Sequence, residues 1–245
     1  MFDELVDKYQ AKQALLRTRA HPSDPHVRIT SNPDDLIAIC CEGVRAVIWQ
    51  RELPAQVKEA VANMNTAPFP NECGSISVDF TGRSRDQLGR ENPMLVAQVP
   101  AAVKADMQYL SQVFLKAVNG DSGLLRENVS YQNPADPDQP CKGGARMPHI
   151  DGFEVRLNTI YSTEAKMGTE WYPVTAEGRD SLRAEFRTAA DKESVKQKYG
   201  LQQIATGEVT IFKGVGGDVP ADDQFLHSEP APRQGVFRLG YLIGV

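Results

Sequence analysis

The chain has 245 residues, a formal net charge of −5 and a pI near 5.5. With 41% hydrophobic and 24% charged residues it has the balance of a globular protein, long enough for one packed core with an annex. The acidic balance removes the electrostatic footprint of a nucleic-acid binder, and no run approaches the ~18 apolar residues of a membrane span.

Residues 1–19 read as an amphipathic helix, with Phe2, Leu5, Val6, Tyr9, Leu15 and Leu16 at helical spacing. The first 13 residues lack the apolar centre of a signal peptide, so a cytoplasmic location is expected. Pro22, Pro25 and Pro33 then break the chain, leaving His21 and His26 in a Pro-rich link. Asn32-Pro33-Asp34-Asp35 is a helix start. A strand is predicted over 44–49, a helix over 54–64 containing Val57, Val61 and Met64, and a strand over 73–80. A charged loop follows over 84–92. The strongest helix covers 100–118, where Val103, Met107, Leu110, Val113, Phe114 and Ala117 make one stripe that Asn119-Gly120 stops. A short strand over 129–132, a Pro/Asp/Gly loop over 133–144, and strands over 154–161 and 169–172 come next. The segment 182–199 is charged and helical in pattern, bounded by Gly178 and Gly200, and reads either as a lid over the site or as a solvated helix capping a sheet edge. Residues 207–214 read as turn, strand and turn, and 237–243 as a final strand.

Among four cysteines, Cys40 and Cys41 are adjacent and no C-x-x-C spacing occurs, which argues against structural zinc and for reduced thiols. Cys141 precedes His149 through the Gly-rich Lys142-Gly143-Gly144-Ala145 and reads as a surface-loop thiol, the alternative being a position near His149.

Two of the four histidines stand in a chemically distinctive arrangement. His149-Ile150-Asp151 puts both side chains on one face of a strand end, because strand side chains alternate. His227, far downstream, completes a set of two imidazoles and one carboxylate, a facial triad that suits iron(II) and leaves positions open. Arg238 follows on the last predicted strand, among Phe237, Leu239 and Leu242. A guanidinium there is costly to bury unless an anion pairs with it. Arg233, beside Pro230 and Pro232, is a loop residue. Arg156 falls on the opposite parity from Asp151 if the strand is unbroken, which makes it a weaker candidate. Trp171 is either pocket lining or core.

From about residue 128 to 245 the chain resembles the double-stranded β-helix core of the iron(II)/2-oxoglutarate dioxygenase superfamily. Within it, the chain looks most like a little-characterised bacterial family of unknown function. The resemblance is carried by Pro148-His149-Ile150-Asp151, Arg156-Leu157-Asn158-Thr159-Ile160-Tyr161, Gly168-Thr169-Glu170-Trp171, Phe212-Lys213-Gly214 and His227-Ser228-Glu229-Pro230. The N-terminal Val47-Ile48-Trp49-Gln50-Arg51 and Leu53-Pro54 also look like that family.

The resemblance implies an α+β protein with a jelly-roll, cupin-like core (128–245) supported by a helical and mixed N-terminal part (1–127) in a single domain. It implies iron(II) on His149, Asp151 and His227, with 2-oxoglutarate as co-substrate held by Arg238 and by Asn158 or Tyr131. Dioxygen and a small-molecule, amino-acid or peptide substrate would be the other partners, with no nucleic acid and no membrane. Oxidation of the substrate, hydroxylation above all, would release succinate and carbon dioxide. The rival from another class is a cupin-like metal-binding or sensing protein without turnover, from which the anion clamp Arg238 distinguishes an oxygenase. A non-catalytic interaction protein would keep the fold with an idle site. No Gly-x-Ser-x-Gly elbow supports a hydrolase.

Overall fold

A computed structural model describes residues 2–67, 73–78, 97–118, 126–132, 147–233 and 235–245. Asn119-Gly120, the loops expected over 84–92 and 133–144, and Cys141 lie outside these residues. Eight strands form one sheet: β1 (Arg19–His21), β2 (Asp24–Thr30), β3 (Ala46–Trp49), β4 (Cys73–Val78), β5 (Arg126–Gln132), β6 (Val155–Ser162), β9 (Val209–Lys213) and β11 (Arg238–Gly244). Their order is β1-β2-β3-β9-β6-β11-β5-β4, with β2 and β3 parallel and the other pairs antiparallel. A second sheet has the order β10 (His227–Ser228), β7 (Glu170–Trp171), β8 (Gln202–Gln203). The mixed α+β expectation is met. The N-terminal part supplies β1 to β4 to the same sheet as the later strands, so its share goes beyond supporting helices.

Register decides which side chains share a face. Val47, Trp49, Val129, Leu157, Tyr161, Val209, Ile211, Leu239, Tyr241 and Ile243 lie on one side and pack into the main core. The helix α3 (Ala101–Val118) covers that side, burying Val103, Met107, Leu110, Phe114 and Ala117 as its stripe predicts. Each large side chain so buried contributes about 1.5–3 kcal/mol. The shorter helices α1 (Phe2–Arg17) and α2 (Ala55–Ala62) and a 3-10 helix over Pro33–Cys40 complete this layer, the last capped by Asn32 as expected. A groove of about 610 Å³ on this helical side, lined by Tyr9, Ile37, Tyr109 and Lys116 among others, lies away from the conspicuous His-Asp-His motif.

On the other side, Val27, Ala46, Ile48 and Phe212 pack against Trp171, Ile204 and Phe225 of the small sheet and its flanks. Of the candidate site residues, His149, Asp151, His227, Asn158 and Arg238 lie between these two sheets, and Tyr131 does not. Trp171 is therefore core. The Pro-rich link also needs correcting, because it forms β1 and β2. Pro22 lies in the turn between β1 and β2, and Pro25 falls at the start of β2 among residues without a register partner, where a missing N–H is tolerated. The link also brings His21 to the small sheet, its ring 4.9 Å from that of Trp171.

The charged segment forms two helices, α4 (Ala176–Thr188) and α5 (Lys192–Lys198), broken where the Asp191 side chain accepts from the Ser194 N–H. Leu182, Phe186 and Val195 bury against Tyr172 and Leu226, with Met147 and Ile150 at the margin. The buried Lys196 pairs with Glu170 of β7 at 2.9 Å. These helices are braced onto the small sheet, which does not suit a lid. No described helix is long and apolar enough to cross a membrane.

Candidate metal centre

His149 and His227 are brought together by their own backbones. The His149 N–H donates to the His227 carbonyl at 2.9 Å and the His227 N–H returns to the His149 carbonyl at 3.0 Å. This pairing sets the two rings 4.4 Å apart, centroid to centroid. One ligand atom from each of His149, Asp151 and His227 falls within 4.8 Å of the others. The Nε2 atoms of His149 and His227 each stand 3.6 Å from an oxygen of the Asp151 carboxylate. Each Nδ1 faces a carbonyl two residues back, Met147 at 2.9 Å and Phe225 at 3.4 Å. An N–H at Nδ1 donating to these carbonyls leaves the Nε2 lone pairs free on the Asp151 side, the tautomer a metal ligand needs.

Asp151 is held by backbone as well. Its carbonyl accepts from the Val215 N–H at 2.9 Å, and Phe153 and Glu154 carbonyls accept from Gly216 and Gly214 at 3.1 and 3.0 Å. A side chain at Gly214 would put its Cβ only 2.5 Å from the Asp151 carbonyl oxygen, so glycine allows this approach.

The electrostatics favour an ionised Asp151 carboxylate and a neutral His227 imidazole. Burial works against the Asp151 charge, but His149, His227 and Arg156 outweigh it and hold its carboxyl far below the usual range. Burial pushes His227 down to about 4, with the Asp151 carboxylate opposing. His149 moves the other way. Burial lowers it, but the Asp151 carboxylate, the Met147 carbonyl and the charge of Glu229 raise it overall. The two directions differ because the His227 side chain, only 6% exposed, is more strongly desolvated and faces the charges of His149 and Arg156, whereas that of His149 is about a third exposed.

Arg156, rated weak by strand parity, donates from Nη1 to Asp151 Oδ2 at 2.7 Å. Strand β6 begins at Val155, and the turn over 151–154 breaks the alternation on which the parity count depends. Its guanidinium lies over the Phe153 ring at 4.9 Å. The sequence signal was there in a weaker form: an arginine a few residues past the acid, within reach of a long side chain.

Arg238 is 1% exposed, and its Nε donates to the Met167 carbonyl at 2.9 Å. Register places it on the same side of the sheet as Asn158, Arg156 and Phe212, the side that faces the small sheet. Its Nη1 lies 3.3 Å from Glu229 Oε1 and makes no hydrogen bond among the described residues. Glu229, which the sequence marks only as part of the His227-Ser228-Glu229-Pro230 stretch and gives no role, also accepts from Gln132 Nε2 at 2.5 Å.

Asn158 donates to Thr169 Oγ1 at 2.8 Å, while its Oδ1 is buried without a partner among the described residues. Thr210 Oγ1, Asn158's cross-strand neighbour, and Arg156 Nε share that condition and that face. Tyr131 does not belong to this group. It pairs with Leu239 and packs in the main core on the helical side, apart from the His-Asp-His cluster. The alternation Val129, Tyr131 was the signal for a core position. Arg233 is a loop residue paired with Glu164 at 3.0 Å. Cys40 and Cys41 are free thiols on the helical side.

The family model described as "Protein of unknown function (DUF1826)" matches residues 30–239. No curated protein matches the sequence. Similar solved structures include a Pseudomonas putida prolyl-4-hydroxylase (11% identity, 87% of this chain and 97% of that one, TM-score 0.42). Another is an oxidoreductase of the 2OG-Fe(II) oxygenase family from Burkholderia pseudomallei (11% identity, 87% and 90% covered, TM-score 0.41). A third is NgTET1 in complex with 5mC DNA (12% identity, 81% and 71% covered, TM-score 0.39). At such distances the chemistry has to be read from this chain's own residues.

Proposed function

The chain belongs to the DUF1826 family of proteins of unknown function, and from its site we propose that it is an iron(II)/2-oxoglutarate-dependent oxygenase on a double-stranded β-helix. The observation that carries this reading is the His149, Asp151 and His227 cluster, with Nε2 lone pairs and an ionised carboxylate converging within 4.8 Å. Two imidazoles and one carboxylate suit a divalent first-row metal, and as a facial set they leave room for further oxygen donors.

In this reading His149, Asp151 and His227 hold the iron. Arg156 keeps the Asp151 carboxylate oriented by its hydrogen bond at 2.7 Å. Arg238 takes the distal carboxylate of 2-oxoglutarate, and Asn158 turns its free Oδ1 or its amide toward the same ligand. Buried Arg238 Nη1 and Asn158 Oδ1, both without hydrogen-bond partners among the described residues, fit a polar ligand between the sheets. When bound, iron(II) with 2-oxoglutarate and dioxygen supplies oxidation of a C–H bond, with succinate and carbon dioxide as co-products. The protein contributes orientation and exclusion of water, which the aromatic wall of Phe212, Phe225 and Trp171 behind His227 provides. The net charge of −5 favours a small-molecule, amino-acid or peptide substrate over nucleic acid.

One observation favours a second reading, a cupin-like metal-binding protein without turnover: Arg238 already has Glu229 beside it. Anaerobic reconstitution with iron(II), followed by a screen for substrate-stimulated succinate release, separates the two. The oxygenase reading expects one iron per chain, lost in His149→Ala and His227→Ala while far-UV circular dichroism stays native. Iron retained by both variants would refute the metal assignment, and iron bound without any succinate release would favour the second reading.

A further inference from the structure

We infer that Glu229 is a resident counter-anion that occupies Arg238 in the ligand-free protein and is exchanged for a ligand carboxylate, so that it determines which anions the site accepts. The inference deepens the oxygenase reading and rests on it.

The two ion pairs of the site are built differently. Arg156 and Asp151 are joined by a directed hydrogen bond of 2.7 Å. Glu229 Oε1 and Arg238 Nη1 approach to 3.3 Å, yet that Nη1 has no hydrogen bond among the described residues. The first pair is a fixed part of the metal cluster. In the second, charge is balanced without the directional bond that would lock it.

Burial points the same way. Arg238 is enclosed on the sheet and tied by its Nε to the Met167 carbonyl, so it cannot follow a departing partner. The Glu229 side chain is 20% exposed and belongs to the Pro-containing segment between β10 and β11. It can turn toward solvent, and among the described residues its contact with Gln132 Nε2 is what holds it on the other side. A fully enclosed guanidinium needs an anion at all times. Glu229 meets that need when no ligand is present.

Charge balance sharpens the consequence. Arg156 with Asp151 and Arg238 with Glu229 cancel, so a bound dication would carry the remaining positive charge. A dicarboxylate entering such a site must share or displace the Glu229 carboxylate at Arg238, and like charges at that spacing repel. A 2-oxo monoacid reaches the metal without touching Arg238. Glu229 therefore lowers affinity for diacids selectively.

The test uses full-length protein loaded with manganese(II), titrated calorimetrically with 2-oxoglutarate and with pyruvate, for wild type, Glu229→Gln and Glu229→Asp. The expected result is that Glu229→Gln tightens 2-oxoglutarate tenfold or more and leaves pyruvate within about twofold, while Glu229→Asp stays near wild type. A second readout is thermal unfolding without metal. Glu229→Gln should melt below wild type, because Arg238 loses its anion, and glutarate, which lacks the oxo group, should restore it. Equal 2-oxoglutarate affinity in wild type and Glu229→Gln would overturn the exchange while leaving the oxygenase reading intact. Tightening of pyruvate to the same extent would also overturn it, as a general charge effect. If manganese binds and neither protein takes 2-oxoglutarate, the oxygenase reading itself falls and the exchange with it.

Discussion

Replacing Lys196 by methionine tests whether the α4–α5 helices brace the small sheet. Lys196 Nζ stands 2.9 Å from Glu170 Oε2, and the two side chains are only 3% and 7% exposed. Its other partner, Glu193, is 62% exposed and contributes little in water. Methionine preserves most of the apolar stem, so the change is chiefly electrostatic. Among the described residues Glu170 would keep a single donor, Ser228 Oγ at 2.9 Å, and would remain a buried carboxylate without a cation. Breaking one side of such a pair costs about 3–5 kcal/mol. For a chain of this size, at roughly 2–4 °C per kcal/mol, the melting temperature should fall by about 6–20 °C. The double variant Lys196→Met/Glu170→Gln removes both charges and should recover a large part of the loss, giving a coupling of about 2 kcal/mol or more. Urea denaturation of the four proteins of this cycle measures it. A single-variant cost below about 1 kcal/mol with no coupling would refute the brace, because the pair would then be solvated.

Gly214→Ala should lose about 1–3 kcal/mol of stability and bind metal less tightly, since its Cβ would press on the Asp151 carbonyl; a metal titration unchanged from wild type would argue against that coupling. Asp106→Asn removes the carboxylate that Arg51 grips at 2.8 and 2.7 Å and that Tyr161 donates to at 2.7 Å. It should cost about 3–5 kcal/mol by denaturant melts while the folded variant binds metal normally, because it lies on the helical side. Arg238→Ala should weaken 2-oxoglutarate about tenfold or more with metal affinity nearly intact, corresponding to a charge-assisted bond of roughly 1.5–3 kcal/mol, and Arg238→Lys should restore only part. Manganese(II) at about a hundred times its dissociation constant should stabilise the protein by about 2.7 kcal/mol, an increment absent in His227→Ala on differential scanning.

What the residues determined alone is what depends on short-range periodicity and on scarcity. The stripe Val103, Met107, Leu110, Phe114 and Ala117 fixed a helix and its buried face, because 3.6-residue spacing is a local property. The Asn32 cap and the strands at β3, β6, β9 and β11 were legible for the same reason. The His149-Ile150-Asp151 motif with His227 stood out because so few histidines exist to compete with it. Strand β2 could have been read from Val27 and Ile29 alternating with Arg28 and Thr30, had the prolines not suggested a link.

Tertiary structure decided whatever depends on register and on turns between strands. Alternation puts Tyr131 and Gln132 on opposite faces, but pairing with Leu239 and Arg238 decides which of them faces the small sheet, and a one-residue shift would exchange them. Arg156 meets Asp151 because the 151–154 turn resets the alternation, and Glu229 meets Arg238 only when β10 and β11 lie in different sheets with the chain folded between them. Such contacts join side chains across loops whose path no local pattern encodes, and the electrostatics of the site were therefore fixed only when the two sheets packed together.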